Sequence, residues 1–179
     1  MIYGRIKMTY RTKTYIAGDW TGDKDAIDKL YEWNNSKRWS LSFTDAHDLT
    51  QARDDSLNCN IKKSLKERMD ASKTFVLIVG DKTNNLTAGS CQYCDSYNSH
   101  TNSCAKRYSI DYKSYIEYEC NEAVKADVKI VVLYNSTIVS KDKCPKAVRN
   151  TRTHIPMKCR DYDDKVYWNY NDIKKAMEN

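Results

Sequence analysis

The stretch "TFVLIVG", residues 74–80, decides the fold. It is continuously apolar and bounded by polar residues, which is typical of a strand covered on both faces of a parallel sheet. A second run of this kind, "VKIVVLYN", occupies residues 128–135. Parallel strands that neighbour each other need crossover connections, and the sequence between these two runs is long enough to supply one. The pair therefore predicts an α/β protein.

Apolar periodicity extends this pattern in both directions along the chain. The predicted strands are 13–20, 39–43, 74–80, 128–135 and, more weakly, 153–159. The predicted helices are 23–36, 56–72 with Ser56 as N-cap, 113–124 and about 169–178. Because strands and helices alternate, we expect one three-layer α/β domain spanning residues 1–179, with its core at about 13–160. Its sheet is expected to be mostly parallel and five-stranded, in the flavodoxin-like order 2-1-3-4-5.

Composition narrows the class of protein. The 179 residues carry a net charge of +6 and seven cysteines. No apolar run approaches the roughly 20 residues that span a bilayer, and no signal peptide is recognisable, so a cytoplasmic protein without a membrane partner is expected. A basic charge suits a nucleotide or a nucleic acid. Acidic residues are interleaved with the basic ones, and no clustered basic face alternates with aromatics, which disfavours nucleic acid.

The expected sheet also predicts where a ligand would bind. In open parallel sheets the site lies outside the carboxyl ends of the strands, where the strand order reverses. That crevice falls between the first and third strands. The segments "GDWTGD" (18–23) and "DKTNN" (81–85) would line it. The candidate ligand-binding residues from these segments are Gly18, Asp19, Trp20, Thr21 and Lys82.

Three glutamates lie on the helix that follows the third strand, "KSYIEYECNEAV" (113–124). At 100° per residue, Glu119 falls inside an apolar arc, whereas Glu117 and Glu122 fall at its edges and are interpreted as solvated charges. The arc consists of Tyr115, Ile116, Cys120, Ala123 and Val124. A carboxylate among apolar neighbours is costly unless it has partners or a task. Glu119 is therefore the candidate functional residue, and a structural role in capping a neighbouring loop is the alternative.

A polar insertion, at about 84–111, contains the segment "CQYCDSYNSHTNSC" (91–104). Its Cys91, Cys94, His100 and Cys104 have the spacing C-x2-C-x5-H-x3-C. Four nitrogen and sulfur ligands suit tetrahedral zinc, and a metal would stabilise a segment with few apolar residues. The alternative is a set of free thiols in a mobile lid over the active site.

Taken together, these segments resemble the Toll/interleukin-1 receptor (TIR) domain, and most of all the TIR-like proteins of bacterial Thoeris anti-phage systems. The resemblance covers roughly residues 13–160. It rests on "KTYIAGDW" as first strand and loop, on "LSFTDAHDLTQARDDSLNCNIKKSLKERMDASKTFVLIVGDKT" as second strand to third strand, and on "SYIEYECNEAVKADVKIVVLY". The last segment carries an aromatic residue, a glutamate four positions later, and the fourth strand.

The resemblance implies an activity. In TIR domains that cleave NAD⁺ this glutamate is catalytic, and the pattern places it at Glu119 with Tyr115 as the aromatic. Trp20 would stack on a ring of the substrate, or else be a partly buried core residue. Tyr115 and Cys120 depart from the tryptophan and larger aliphatic residue common in the family.

The resemblance also implies partners. Residues 44–55 resemble the BB loop, in which Asp45, His47 and Arg53 would contact substrate or a second subunit of a homo-oligomer. The product would be an ADP-ribose-derived, cyclic signalling nucleotide that activates a partner effector. The alternative function is a non-catalytic TIR scaffold, with the BB-like loop as its interaction surface.

Overall fold

The computed structural model of the protein describes residues 11–46 and 57–178. Four parallel strands form the central sheet in the order β1-β2-β5-β6. They are β1 (Lys13–Ala17), β2 (Ser72–Val79), β5 (Lys129–Tyr134) and β6 (Thr153–Pro156). The helices are α1 (Lys24–Asn35), α2 (Asn58–Asp70), α3 (Tyr115–Lys125) and α4 (Tyr170–Glu178). Two small antiparallel hairpins complete the set, β3 (Tyr97–Asn98) with β4 (Ser103–Cys104) and β7 (Lys158–Arg160) with β8 (Val166–Trp168).

The sheet is covered on both faces, so the predicted three-layer α/β architecture is confirmed. Alternate side chains of β2 enter two separate cores. Phe75 and Leu77 pack with residues of α2 and α3, whereas Val76 and Ile78 pack with residues of α1 and α4. All four of these β2 side chains are fully buried. This explains why residues 74–80 read as a continuous apolar run.

The prediction of a second strand at residues 39–43 is wrong. Ser40 and Ser42 have positive φ values of 40° and 53°, which interrupt an extended backbone. One parallel bridge, between Thr14 and Asp45, forms beside β1 instead. In it the Thr14 N–H donates to Thr44 O at 2.8 Å, and the Ala46 N–H donates to Thr14 O at 3.0 Å. Within the described residues the central sheet therefore has four strands rather than five.

His154 on β6 makes the stability of this edge depend on pH. Its Nδ1 shares a 2.9 Å hydrogen bond with the Tyr134 hydroxyl. Burial, with a contribution from Lys141, lowers the pKa of His154 below its ordinary 6.5. With this lowered pKa, the His154 ring binds a proton less readily in the folded protein than in the unfolded chain. Its contribution to the free energy of unfolding is therefore complete above pH 6.5 and is lost as the pH falls through the lowered pKa.

We therefore expect the free energy of unfolding to decrease between about pH 7.5 and about pH 5.5, partly through His154. Urea titrations at the two values measure this, with His154→Gln as the comparison. The variant should show a smaller decrease than the wild type. An identical pH dependence in the two proteins would exclude His154 as a contributor.

Candidate functional site

Two adjoining cavities open at the carboxyl edge of the central sheet, and both include Asp19. Gly18 follows β1, Gly80 follows β2 and Asn135 follows β5, so the ends of three neighbouring strands contribute. This is the position that the sheet topology predicts for a ligand. We call the two spaces the carboxylate cavity and the acidic cavity.

The carboxylate cavity has a volume of about 270 Å³. It is bounded by the β1–α1 loop, α2, the insertion and α3. Its lining residues are Gly18, Asp19, Trp20, Ile61, Leu65, Leu86, Ala88, Tyr115, Ile116 and Glu119. Most of these side chains are apolar, and Glu119 and Asp19 supply the carboxylates. Apolar walls with a few convergent polar groups are typical of small-molecule sites.

Glu119 reaches this cavity because of where α3 begins. A capping box fixes the start of the helix: the Ser114 side chain accepts a hydrogen bond from the Glu117 N–H at 3.2 Å, and the Glu117 carboxylate accepts one from the Ser114 N–H at 2.9 Å. From this start, Glu119 lies on the inner face of the helix and is 8% exposed. The capping box therefore sets the position of the buried carboxylate.

A buried tyrosine holds the Glu119 carboxylate. The Tyr15 hydroxyl donates to Glu119 Oε1 at 2.5 Å, and the tyrosine side chain, on β1, is fully buried. Burial, and then the negative charge of Glu119, raise the pKa of Tyr15 well above its ordinary value. Tyr15 therefore remains protonated and acts as a donor, which favours an ionised and oriented carboxylate at Glu119.

The other two glutamates of α3 differ in their roles. Glu117 is exposed, as predicted, although its carboxylate belongs to the capping box. The prediction that Glu122 is an ordinary solvated charge is wrong, since it is 8% exposed and pairs with Lys125 at 2.6 Å and Lys66 at 3.7 Å. Val124, placed in the apolar arc, is 47% exposed. The buried face is rotated toward Glu122 because α3 packs against α2, which supplies Lys66.

Tyr115, in the aromatic position of the predicted pattern, forms part of the wall of the carboxylate cavity. Its hydroxyl donates to Asn58 Oδ1 at 2.9 Å, and its N–H donates to Ala88 O at 2.8 Å. Burial, with smaller contributions from Cys94 and Cys59, raises the pKa of Tyr115 to about 12. The side chain is therefore a neutral, anchored aromatic at neutral pH.

Gly89 is expected to control the placement of Tyr115. Its φ is +95°, and a Cβ at this position would lie 2.5 Å from Cδ1 of the Tyr115 ring. We expect Gly89→Ala to lower the free energy of unfolding by at least about 1 kcal/mol, because alanine is strained at this φ and the ring must move. Urea unfolding measures the loss. Ser90→Ala is the matched control, since the buried Ser90 hydroxyl has no partner among the described residues. Equal stability of the two variants would contradict this account of Gly89.

The β1–α1 loop is held by Asp19. Its Oδ1 accepts hydrogen bonds from the Thr21 N–H at 3.0 Å and the Gly22 N–H at 2.9 Å. Trp20 is 47% exposed at the rim of the carboxylate cavity, with its ring centroid 6.3 Å from that of Tyr31. The core alternative for Trp20 is therefore wrong. Gly18, Asp19 and Trp20 line the carboxylate cavity, whereas Thr21 lines the acidic one.

The acidic cavity has a volume of about 330 Å³ and contains Lys82. The Asn135 amide donates to Asp23 Oδ1 at 3.0 Å and to Asp25 Oδ1 at 2.8 Å. Burial raises the pKa of Asp23. Gly80 is required beside it, because a Cβ there would lie 2.0 Å from Asp23 Oδ1. Among the described residues that line this cavity, the carboxylates of Asp19, Asp23 and Asp81 outnumber the one lysine, Lys82. Such a lining suits hydroxyl groups better than phosphates.

The predicted BB-like loop is described only in part. Asp45 accepts a hydrogen bond from the Tyr31 hydroxyl through Oδ2 and from Lys13 Nζ, at 3.2 Å, through its backbone oxygen. It is not among the described residues that line either cavity. His47 and Arg53 lie outside the described residues, so their predicted contacts stay predictions.

The insertion brings three of the four predicted zinc ligands together. Cys91, Cys94 and Cys104 line a void of about 10 Å³, and Cys59 of α2 joins them. His100 is exposed between β3 and β4 and does not line this void. Across residues 11–46 and 57–178, no three His, Cys, Asp or Glu residues form a group that could hold a metal ion as they stand. Zinc therefore stays a prediction.

Sequence reasoning missed several residues of the site. Ile61 and Leu65 were visible as the apolar stripe of a helix, yet nothing in the sequence indicates that they face a cavity. Leu86 and Ala88 come from the insertion, whose apolar residues follow no helical or strand periodicity from which their position could be predicted. Tyr15 reads as an ordinary strand residue, and its contact with Glu119 joins positions 104 residues apart.

A comparison with known families gives a match to the first half of the described fold. The family model of the TIR-like domain of the Thoeris protein ThsB matches residues 15–88. The matched segment runs from β1 through α2 and β2 into the insertion, and it supports a TIR-like protein of the ThsB type. It ends before α3, so it does not include Glu119. No curated protein matches the chain significantly. Over the described residues, no helix has the length and apolar character needed to cross a membrane.

Proposed function

We propose that this chain is a bacterial defence protein whose TIR-like domain cleaves NAD⁺ at the bond between nicotinamide and ribose, with Glu119 as the catalytic residue. The observation that carries the proposal is the buried Glu119 carboxylate at the wall of the carboxylate cavity, held by Tyr15 at 2.5 Å. The match over residues 15–88 to the TIR-like domain of ThsB supports the defence role.

One carboxylate suits this reaction. As the C1′–N bond breaks, its electron pair neutralises the cationic nicotinamide, and positive charge develops on the ribose. A nearby carboxylate stabilises that charge, as in glycoside hydrolysis. A nucleophile then forms the new bond at C1′ and loses a proton. Because nicotinamide departs as a neutral molecule, no second carboxylate is needed as a general acid.

The cavity also suits the substrate. Its walls are mostly apolar, and the Trp20 and Tyr115 rings lie at its rim and wall, where they would stack on the nicotinamide ring. Glu119 would then face the ribose from α3. The carboxylate-rich acidic cavity next to it offers acceptors for ribose hydroxyls. Water as the nucleophile gives ADP-ribose, and a nitrogen of the same nucleotide gives a cyclic product.

We extend the proposal to signalling. The cyclic nucleotide would diffuse to a partner effector that senses it, and the chain would act in the cytoplasm and self-assemble through the BB-like loop. These steps follow from the family resemblance and rest on the proposed cleavage.

The test is release of nicotinamide from NAD⁺ by the purified full-length chain, alone and with lysate from phage-infected cells. Chromatography with mass spectrometry then separates linear from cyclic products. We expect release in at least one condition, with a product lacking nicotinamide. Absence of release in every condition would overturn the enzymatic proposal in favour of the non-catalytic scaffold.

A further inference from the structure

Lys62 of α2 is a buried lysine that the proposed reaction does not use directly. It is only 5% exposed, and it is not among the described residues that line either cavity. A lysine is almost never buried to this extent unless its charge is paired. We propose that Lys62 is a positioning residue, which fixes the start of α3 and thereby the place of the Glu119 carboxylate in the carboxylate cavity. Glu119 is the catalytic residue of the proposed function, on which this role of Lys62 rests.

Three acceptors surround the Lys62 ammonium, and all of them belong to the segment that leads into α3. Nζ donates to Lys113 O at 2.7 Å and to Asp111 O at 3.4 Å, and it pairs with Asp111 Oδ2 at 3.2 Å. Burial acts to raise the pKa of Asp111, but the Lys113 N–H and Lys62 hold this pKa below its ordinary value. Asp111 is therefore ionised, and a buried ion pair joins α2 to residues 111–113.

The contact with Lys113 is adjacent to the start of the helix. Ser114, the next residue, is the N-cap whose capping box begins α3. The Lys62 ammonium also lies 5.5 Å from the centroid of the Tyr118 ring, and Tyr118 directly precedes Glu119. Lys62 thus contacts the chain before and after the first helical turn. Because rise and rotation per residue are fixed in a helix, holding its start also sets the direction of Glu119.

The helix that carries Lys62 also forms part of the cavity wall. Ile61, its neighbour in the chain, lines the carboxylate cavity. One turn before Lys62, Asn58 Nδ2 donates to Ser90 O at 3.1 Å, and Asn58 Oδ1 accepts from the Tyr115 hydroxyl at 2.9 Å. Two polar side chains of α2 therefore hold the insertion and α3. Their contacts fix the spacing between the wall formed by α2 and the wall that carries the carboxylate.

The charge of Lys62 is informative because a buried ammonium costs free energy. Replacing a buried ion pair by well-packed apolar residues often leaves a protein equally stable or more stable. An apolar side chain of similar length, such as that of methionine, could fill the space but would offer no donor to the oxygens of Asp111 and Lys113. The contribution that only the lysine makes is therefore the placement of residues 111–113.

The kinetics of nicotinamide release test this role. Lys62→Met is expected to lower kcat about tenfold and to change KM less than about threefold, since even a 1 Å displacement of a reacting group can cost about 100-fold. Lys62→Arg keeps the charge and offers five N–H donors, so it should recover kcat to within about threefold of the wild type. A wild-type kcat in Lys62→Met would overturn the proposal.

Lys66→Met is the matched control, with the same substitution one turn later on the same helix. Lys66 is exposed, and its pairs with Asp70 at 3.0 Å and Glu122 at 3.7 Å include no residue of the segment before α3. Since exposed ion pairs contribute little, its kcat should equal that of the wild type. Equal losses in Lys62→Met and Lys66→Met would overturn the specific role of Lys62.

Hydrogen exchange followed by mass spectrometry tests the anchoring without NAD⁺. The Tyr118 N–H donates to Ser114 O at 2.9 Å in the first turn of α3. In Lys62→Met the amides of this turn should exchange at least about tenfold faster than in the wild type, while those of β2 and β5 should not change. Unchanged exchange in the first turn would overturn the proposal. A wild type that does not cleave NAD⁺ would overturn the proposed function, and the exchange rates would still decide whether Lys62 anchors α3.

If Lys62→Met does not fold, Asp111→Asn takes its place. This change removes the charge that pairs with Lys62 at 3.2 Å and leaves the backbone acceptors of residues 111 and 113 in place. We expect a decrease of about threefold in kcat, smaller than for Lys62→Met, because charge-assisted hydrogen bonds are the stronger ones. A wild-type kcat in Asp111→Asn would then overturn the proposal.

Discussion

Replacing Glu119 by Gln is expected to lower the rate of nicotinamide release from NAD⁺ by about 100- to 1,000-fold, the size of effect seen when one preorganised electrostatic group is removed from a reacting centre. Glutamine has the same shape and still accepts a hydrogen bond from the Tyr15 hydroxyl, which lies 2.5 Å from Glu119 Oε1 in the wild type. The loss should therefore reflect the missing negative charge. Initial rates at saturating NAD⁺ measure it.

Glu117→Gln is the matched control on the same helix. Glu117 is exposed, and its carboxylate closes the capping box with Ser114. Because glutamine also completes a capping box, this variant should keep α3 in place and retain activity close to that of the wild type. Similar losses in the two variants would indicate a general effect on α3 rather than a role for Glu119 in the reaction.

Tyr15→Phe is expected to give the second largest effect, a decrease of about 10- to 100-fold in turnover, since a hydrogen bond to a buried charged group is lost. Tyr15 does not line the carboxylate cavity and acts through Glu119, so it is a positioning residue. Measured kinetically, the loss should appear mainly in kcat, with a smaller change in KM.

The pH profile distinguishes positioning from a loss of packing. A carboxylate that loses a donor is protonated more readily, so the acidic limb of the activity profile of Tyr15→Phe should move to higher pH. Phe75→Leu, at the neighbouring buried ring 5.8 Å from Tyr15, is the packing control and should leave the limb where it is in the wild type. Coincident profiles for Tyr15→Phe and the wild type would refute the positioning role.

The layers of the fold were predictable because strands and helices each leave a characteristic spacing of apolar residues in the sequence. The apolar runs at 74–80 and 128–135 correspond to β2 and β5, which are central in the sheet. The prediction of a strand at 39–43 failed. It rested on the alternation of apolar Trp39, Leu41 and Phe43 with polar residues, and the same alternation occurs in a loop in which Ser40 and Ser42 have positive φ. Local pattern reports which side chains are apolar and carries no information on the backbone angles between them.

The site was predictable where the sheet topology or a single helix determines it, as for the loop residues Gly18 to Thr21 and for Glu119. A helical wheel selected Glu119 because burial of α3 is periodic, and the same wheel misjudged Glu122, whose burial depends on Lys66 of another helix. The Tyr15–Glu119 hydrogen bond and the approach of Cys59 to the insertion cysteines join residues distant in sequence. No local signal encodes such contacts, so they required the three-dimensional structure.

The most direct test of the central claim is nicotinamide release from NAD⁺ measured side by side for the wild-type chain and Glu119→Gln, at equal concentrations and with the same lysate. The account predicts release by the wild type and release at the background level by the variant. Equal release by the two proteins, or no release by the wild type in any condition, would contradict it.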